Sequence, residues 1–440
     1  MTASSPATAP GPATPAGRTG VPSRLSTVRR RWRRLRASLA DLLAGSPGSL
    51  RRAALTGAAG ALLTAVAGGL ALQAQAAATG TARDASAHLD LVQGVRTAVV
   101  HADADATNAF LRGGLEPVPQ RREYLASMAS ATRDLAVAAR TGSGDGSAYA
   151  RASEGLSRYA GMVETARAEN RHQLPIGASY LRMASRQLRG DVLPELSRLA
   201  AEDSDRVASA YTAARVRALL FAGSALLGSG LLIAAQVRLA RITRAVFTVP
   251  AVITGLLFGV SVVAAGALSA SSVLAADGIH SGDSARTGAL AQARAAAFDA
   301  RATESLVLIA RGSLAEDEQQ WQASFRTARA QAGSVDGSLL PALDAYAAEH
   351  TALHTLDTTG KWPDAVGRAL ATTPGSAAAD LASFDTASSG LLARSRAATL
   401  DGLAAARDPL PPSSWAVAVA GLVAVVGMVA GVARRLGEYR

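Results

Sequence analysis

His350 and His354 stand four residues apart, so on a helix they share one face, as two protein ligands of a zinc ion must. Glu349 or Asp357 could add a third ligand. No HExxH motif and no dense acidic cluster accompanies the pair, and a solvated or core-facing pair accounts for it better. GxxxxGK[ST], GxSxG and DFG-type patterns are all missing, and nothing sets a nucleophile beside a base and an orienting group. The chain contains no cysteine, which excludes disulfides, thiolate metal sites and cysteine nucleophiles. The sequence therefore predicts a protein that is not an enzyme and needs neither cofactor nor metal.

The polar residues left to consider are ligand or partner contacts. Asp103, Asp105 and Asn108 lie together in one stretch, and Arg301 and Glu304 in another. Arg112, Glu116, Lys361 and Trp362 fall at predicted helix ends. An exposed Trp in a chain that is only 4% aromatic would be a natural anchor for a partner, whereas packing over the end of a helical bundle is the plainer alternative.

What must position these residues is set by four apolar stretches. Residues 53–72, 219–237, 246–269 and 415–433 carry no charge, and each is long enough to cross a hydrocarbon core, which takes roughly 20 helical residues. Arg238, Arg241 and Arg244 lie between the second and third without an acid, so that turn is expected in the cytoplasm. The net charge of +11 follows the same logic. Residues 1–52, the central turn and the C-terminal tail carry 16 Arg against two acids, while the remainder has 29 basic and 32 acidic residues. Basic residues retained on the inner side explain this distribution without nucleic acid.

The expected plan is an all-α membrane protein with both termini cytoplasmic. A cytoplasmic tail (1–50) holds a disordered stretch and a basic amphipathic helix with Arg29, Trp32 and Leu35 at helical spacing. The spans are 53–77, 217–237, 246–271 and 414–433, with a turn at 238–245 and a tail at 434–440. Ala74, Gln75 and Ala76 resemble a leader cleavage site, but the preceding basic region is far too long for one. Residues 78–216 and 272–412 should each form an extracytoplasmic four-helix bundle. In the first, Val92, Val95, Val99, Ala102, Ala106 and Ala109 step by three and four as a packing seam. On that register Asp103 and Asp105 flank the seam, where solvated charges are common. Gly113 and Gly114 end the first helix, and the next three are expected to reach about Arg140, to reach about His172 and to start near Ser179.

The two bundles read as an internal duplication. DADATN at 103–108 is echoed by DARATE at 299–304, YLASM at 124–128 by WQASF at 321–325, and Leu156 with Tyr159 by Leu343 with Tyr346. Glycines at 255, 259, 427 and 431 have the GxxxG spacing that lets helices approach closely, though lipid-facing glycine is an equal alternative. The apolar stretches contain no ionisable residue, which argues against an ion pore or proton-coupled transporter.

Two units of span, bundle and span resemble the sensor halves of chemoreceptors and histidine kinases. More narrowly, DADATNAFLRGGLEP at 103–117, the Arg121 to Tyr124 segment and DARATESLVLIARG at 299–312 resemble actinobacterial GlnX-type membrane proteins. That resemblance implies a transducer that relays amino-acid availability from an extracytoplasmic GlnH-type solute-binding lipoprotein to a cytoplasmic PknG-type Ser/Thr kinase. An accessory or scaffolding subunit of an amino-acid transporter is the alternative, and a homodimer is compatible with either.

Overall fold

The computed structural model describes residues 45–114, 116–142, 146–172, 174–243, 249–311 and 315–437. The basic helix expected within residues 1–44 and the last two residues of the expected 238–245 turn lie outside them, whereas residues 238–243 continue a helix. Every regular element among the described residues is helical. Three helices are far longer than a membrane requires. Helix α1 (Gly45–Leu63) passes through a π-turn at Thr64–Gly68 into α2 (Gly69–Leu111). Two shorter helices follow, α3 (Val118–Thr141) and α4 (Gly146–Arg171). Next, α5 (Ile176–Gln187) runs through a π-turn at Leu188–Val192 into α6 (Leu193–Thr243). The second half repeats the order: α7 (Val249–Ile279), a π-turn at His280–Ser284, α8 (Ala285–Ala310), α9 (Ala315–Val335) and α10 (Leu340–Thr358). It then adds a short α11 (Trp362–Ala369) before α12 (Ala377–Arg407) and α13 (Leu410–Gly437).

Four helical stretches are long and apolar enough to cross a membrane, and the chain has the build of a multi-pass membrane protein. Leu72, Phe221, Phe258, Val417 and Met428 form one buried cluster that draws on all four. The first and second spans approach closely because Gly60 and Gly228 face each other: a Cβ on Gly60 would stand 2.6 Å from the Gly228 carbonyl oxygen. Gln75 and Ser269 join the first and third spans reciprocally. The Gln75 amide donates to the Ser269 carbonyl (3.0 Å), and the Ser269 hydroxyl to the Gln75 Oε1 (2.6 Å). Of the glycines singled out in the sequence, Gly255 packs on Gln236 and Gly427 on Thr254, whereas Gly259 faces open space.

Beyond the spans, one helix pair from each half forms a common stalk. Ala82 and Ala85 of α2, Val207 and Tyr211 of α6, Ala276 of α7 and Leu403 of α12 are buried in one cluster. Farther out, the predicted seam from Val92 to Ala106 is buried against Tyr124, Leu156, Tyr159 and Leu196, forming the core of the first half. Helix α2 has a second apolar face, however. Val100 and Ala104 belong to the core of the second half, with Leu290, Phe298, Leu343 and Phe384. The expectation that residues 78–216 and 272–412 each form a four-helix bundle needs that correction: the halves pack side by side, because α2 is apolar on two faces and cannot bury both within one four-helix set.

The first three long helices run without a break into the apolar stretches. In the fourth, Asp408 and Pro409 separate α12 from α13. Pro409, Pro411 and Pro412 remove three backbone donors there, which is why regular bonding lapses. Asp408 still donates to Ala404 O at 2.9 Å.

Candidate functional site

Where α2 meets α5 and α8, carboxylates from both halves converge on one guanidinium. Asp103 is only 1% exposed. Its Oδ1 accepts from the Ser185 hydroxyl (2.6 Å) and the Tyr159 hydroxyl (3.1 Å). The Arg189 Nη2 lies 3.5 Å from Asp103 Oδ2, and the Arg189 Nε donates to Asp299 Oδ1 at 2.8 Å. The other Asp299 oxygen accepts from the Ser324 hydroxyl (2.6 Å) and the Gln320 amide (3.1 Å). Burial pushes the Asp103 carboxyl up despite the cation beside it. Burial also works against the Arg189 charge, but Asp103 and Asp299 outweigh it and raise that group. Arg189 sits on the π-turn Leu188–Val192, the kind of local under-winding that re-aims a side chain and recurs at functional sites.

Sequence reasoning placed Asp103 beside the seam and therefore in water. The structure corrects this, because the second half covers that flank of α2. Asp105 is also largely enclosed. His101 Nε2 lies 3.7 Å from its Oδ1, but burial and the nearby Glu123 and Glu116 push the Asp105 carboxyl up to about 8. Asn108 accepts a hydrogen bond from the Gln120 amide (3.2 Å). The His101 ring stacks on Phe298 across the boundary between the halves, with centroids 4.1 Å apart.

Arg301 and Glu304, 4% and 1% exposed, form a second buried node. Arg301 pairs with Glu304 and donates from Nη2 to Ala369 O at 2.6 Å. The Glu304 Oε2 meets His350 Nδ1 at 2.8 Å, and Trp321 stacks flat on the His350 ring with centroids 3.5 Å apart. Burial disfavours the Glu304 charge, yet Arg301 and His350 outweigh it and hold the carboxyl below its usual range. His350 is thus committed to carboxylates at both nitrogens, with Nε2 at 3.3 Å from Glu318. No group of three metal-ligating side chains exists among the described residues.

The remaining candidates lie at the membrane-remote end. Glu116 pairs with Arg167 (3.0 Å), and the Arg112 Nη2 reaches Leu370 O of the other half at 3.4 Å. Lys361 is exposed. Trp362 is half-buried: its indole donates to Leu308 O at the end of α8 (2.8 Å), and Arg311 lies 4.3 Å over its ring. The plainer of the two expectations for Trp362, packing over the bundle end, describes this geometry.

Sequence reasoning missed Arg189, Asp299 and the pair His88 and Asp203. His88, four residues before Val92, prolongs the apolar seam; Asp203 stands in the matching run Leu196, Leu199, Val207 and Ala210. Both are buried, with Nδ1 2.6 Å from Asp203 Oδ2 and Nε2 2.9 Å from Ala138 O. A titratable residue inside a seam was the available signal.

The arrangement is a set of discrete charge contacts holding two helical halves in one register, which a sensor can use as a two-position element. No curated protein and no solved structure matches the chain. Residues 77–212, which carry His88, Asp103, Tyr159, Arg189 and Asp203, match the family model of the actinobacterial sensor domain, and this similarity together with the helical membrane architecture supports a sensor protein.

Proposed function

We propose that the chain is a membrane signal transducer with two extracytoplasmic four-helix units derived by duplication. In this reading both termini and the 238–245 turn are cytoplasmic, and the protein relays amino-acid availability from a GlnH-type solute-binding lipoprotein to a PknG-type kinase. The carrying observation is that three long helices run unbroken from membrane-remote buried charges into apolar spans. A change in how the halves meet at Arg189 then reaches the membrane as a shift of packed helices, typically about 1–2 Å. Duplication is supported by the echoed positions: Tyr124 and Trp321, Leu156 and Leu343, and Tyr159 and Tyr346 are buried in pairs.

The test is an insertion series next to Asp205, between the polar network and the second span. One added residue turns the span by about 100° relative to the network and should abolish signalling, whereas seven nearly restore the phase. Equal signalling by both insertions would leave the spans only a tethering role. Affinity capture from membranes separates the transducer from a transporter accessory subunit: recovery of a kinase supports the first and recovery of a permease the second.

A further inference from the structure

Between the stalk cluster and the Arg189 network lies a cavity of about 920 Å³ walled by both halves. Helix α2 supplies Ser86, Asp90, Gln93 and Arg96, α6 supplies Leu196 and Val207, the π-turn His280–Ser284 closes one side, and Thr399 enters from α12. Its size falls within the range of small-molecule sites.

Four residues that line this cavity each carry a polar atom without a protein partner. Ser86 Oγ, Gln93 Oε1, Arg96 Nε and Thr399 Oγ1 are buried atoms without a hydrogen bond, and such groups normally cost stability unless something satisfies them. The Arg96 guanidinium forms no ion pair among the described residues. Its strongest charged neighbour is Asp299, which Arg189, Ser324 and Gln320 already engage. Asp90 does not compensate it, being 3.6 Å from Arg396. Burial lifts the Asp90 carboxyl to about 6. The cavity is therefore lined by one uncommitted cation, by residues carrying unpartnered polar atoms and by apolar walls including Leu89, Val92 and Leu196.

We propose that this cavity is a ligand site for a small organic carboxylate with an apolar body, its carboxylate on Arg96 and its body against Val92, Leu196 and Val207. A planar guanidinium suits a carboxylate in a two-pronged contact. Because α2, α6 and the α7–α8 π-turn all border the cavity, its occupant touches the halves at once. The site deepens the sensor reading, but binding is measured without a signalling output, so either claim can fail alone.

The test uses the full chain in lipid nanodiscs and saturation-transfer NMR with two matched probes, phenylacetate and its uncharged analogue phenylacetamide. Phenylacetate should bind saturably and phenylacetamide at least about tenfold more weakly, the value of one charge-assisted contact. Arg96→Gln should weaken phenylacetate about tenfold or more. Ala200→Phe, which keeps Arg96 but fills the cavity, should also abolish binding. Thermal unfolding of both variants checks that they fold. Absence of saturable phenylacetate binding to the wild-type protein overturns the proposal. So does equal binding of the two probes, or binding untouched by Ala200→Phe in a folded protein.

Discussion

The Nε of Arg189 donates to Oδ1 of Asp299 across 2.8 Å, tying the last long helix of the first half to the first helix beyond the membrane in the second. With Asp103 on its other side, this guanidinium stands between two carboxylates from different halves. Replacing Arg189 with Met should destabilise the protein by about 2–4 kcal/mol, because two enclosed acids lose their counter-ion. Adding Asp103→Asn to that variant should recover part of the loss. Denaturant titration in detergent measures both, and a second substitution that only adds to the damage would show that the carboxylates were not compensated by Arg189.

His88 carries a pH dependence. Its bond to Asp203, against a smaller opposing effect of burial, raises the imidazole above its usual value, and the Ala138 carbonyl near the C-terminus of α3 adds to the effect. A group raised in the folded state contributes stability that is fully present below the unfolded value near 6.5 and is lost as pH rises through the folded value. Apparent melting temperatures should therefore fall from pH 6 towards alkaline pH, and His88→Ala should flatten that slope while lowering stability at pH 6. Identical pH slopes in the two proteins would remove His88 from the explanation.

Apolar stretches and the seam from Val92 to Ala109 are visible in the sequence because each is a property of one helix: length without charge, or periodicity. Which helix lies beside which is not. Asp103 reads as a flanking, solvated charge from the seam, and only the second apolar face of α2, with Val100 and Ala104 one turn apart, hints that another helix covers it. Arg189 had no such signal, since its aim depends on a π-turn that shifts the helical phase. The short α11 escaped for another reason: eight residues hold too few turns for a period to show.

Asp105 gives the opposite case from a stabilising ion pair. Burial, with Glu123 and Glu116 adding to it, lifts its carboxyl to about 8, so the protonated form is favoured and stability declines between about pH 4 and pH 8. Asp105→Asn keeps the shape without the charge. It should raise stability at pH 7.5 by about 2 kcal/mol or more, at about 1.4 kcal/mol per unit of displacement, and leave stability at pH 4 nearly unchanged. A loss of stability at pH 7.5 would mean that the ionised carboxylate is bound by His101 instead.

The spans can be tested with two glycines two residues apart on one helix. At Gly228 an added Cβ would collide with Thr64 Oγ1 and lie 2.5 Å from the Gly60 carbonyl oxygen, whereas at Gly230 nothing stands within 4 Å. The Thr64 hydroxyl also donates to Ser224 O (3.1 Å), so the first and second spans are locked where the π-turn Thr64–Gly68 begins. Gly228→Ala should push these helices apart and cost about 1–3 kcal/mol, as overpacking does. Gly230→Ala should be neutral or stabilising by up to about 1 kcal/mol, from helix propensity alone. Adding Thr64→Ala to Gly228→Ala should restore only part of the loss, because the Gly60 backbone remains in the way. Comparable stability of the two single variants would show that the spans do not cross at Gly60 and Gly228.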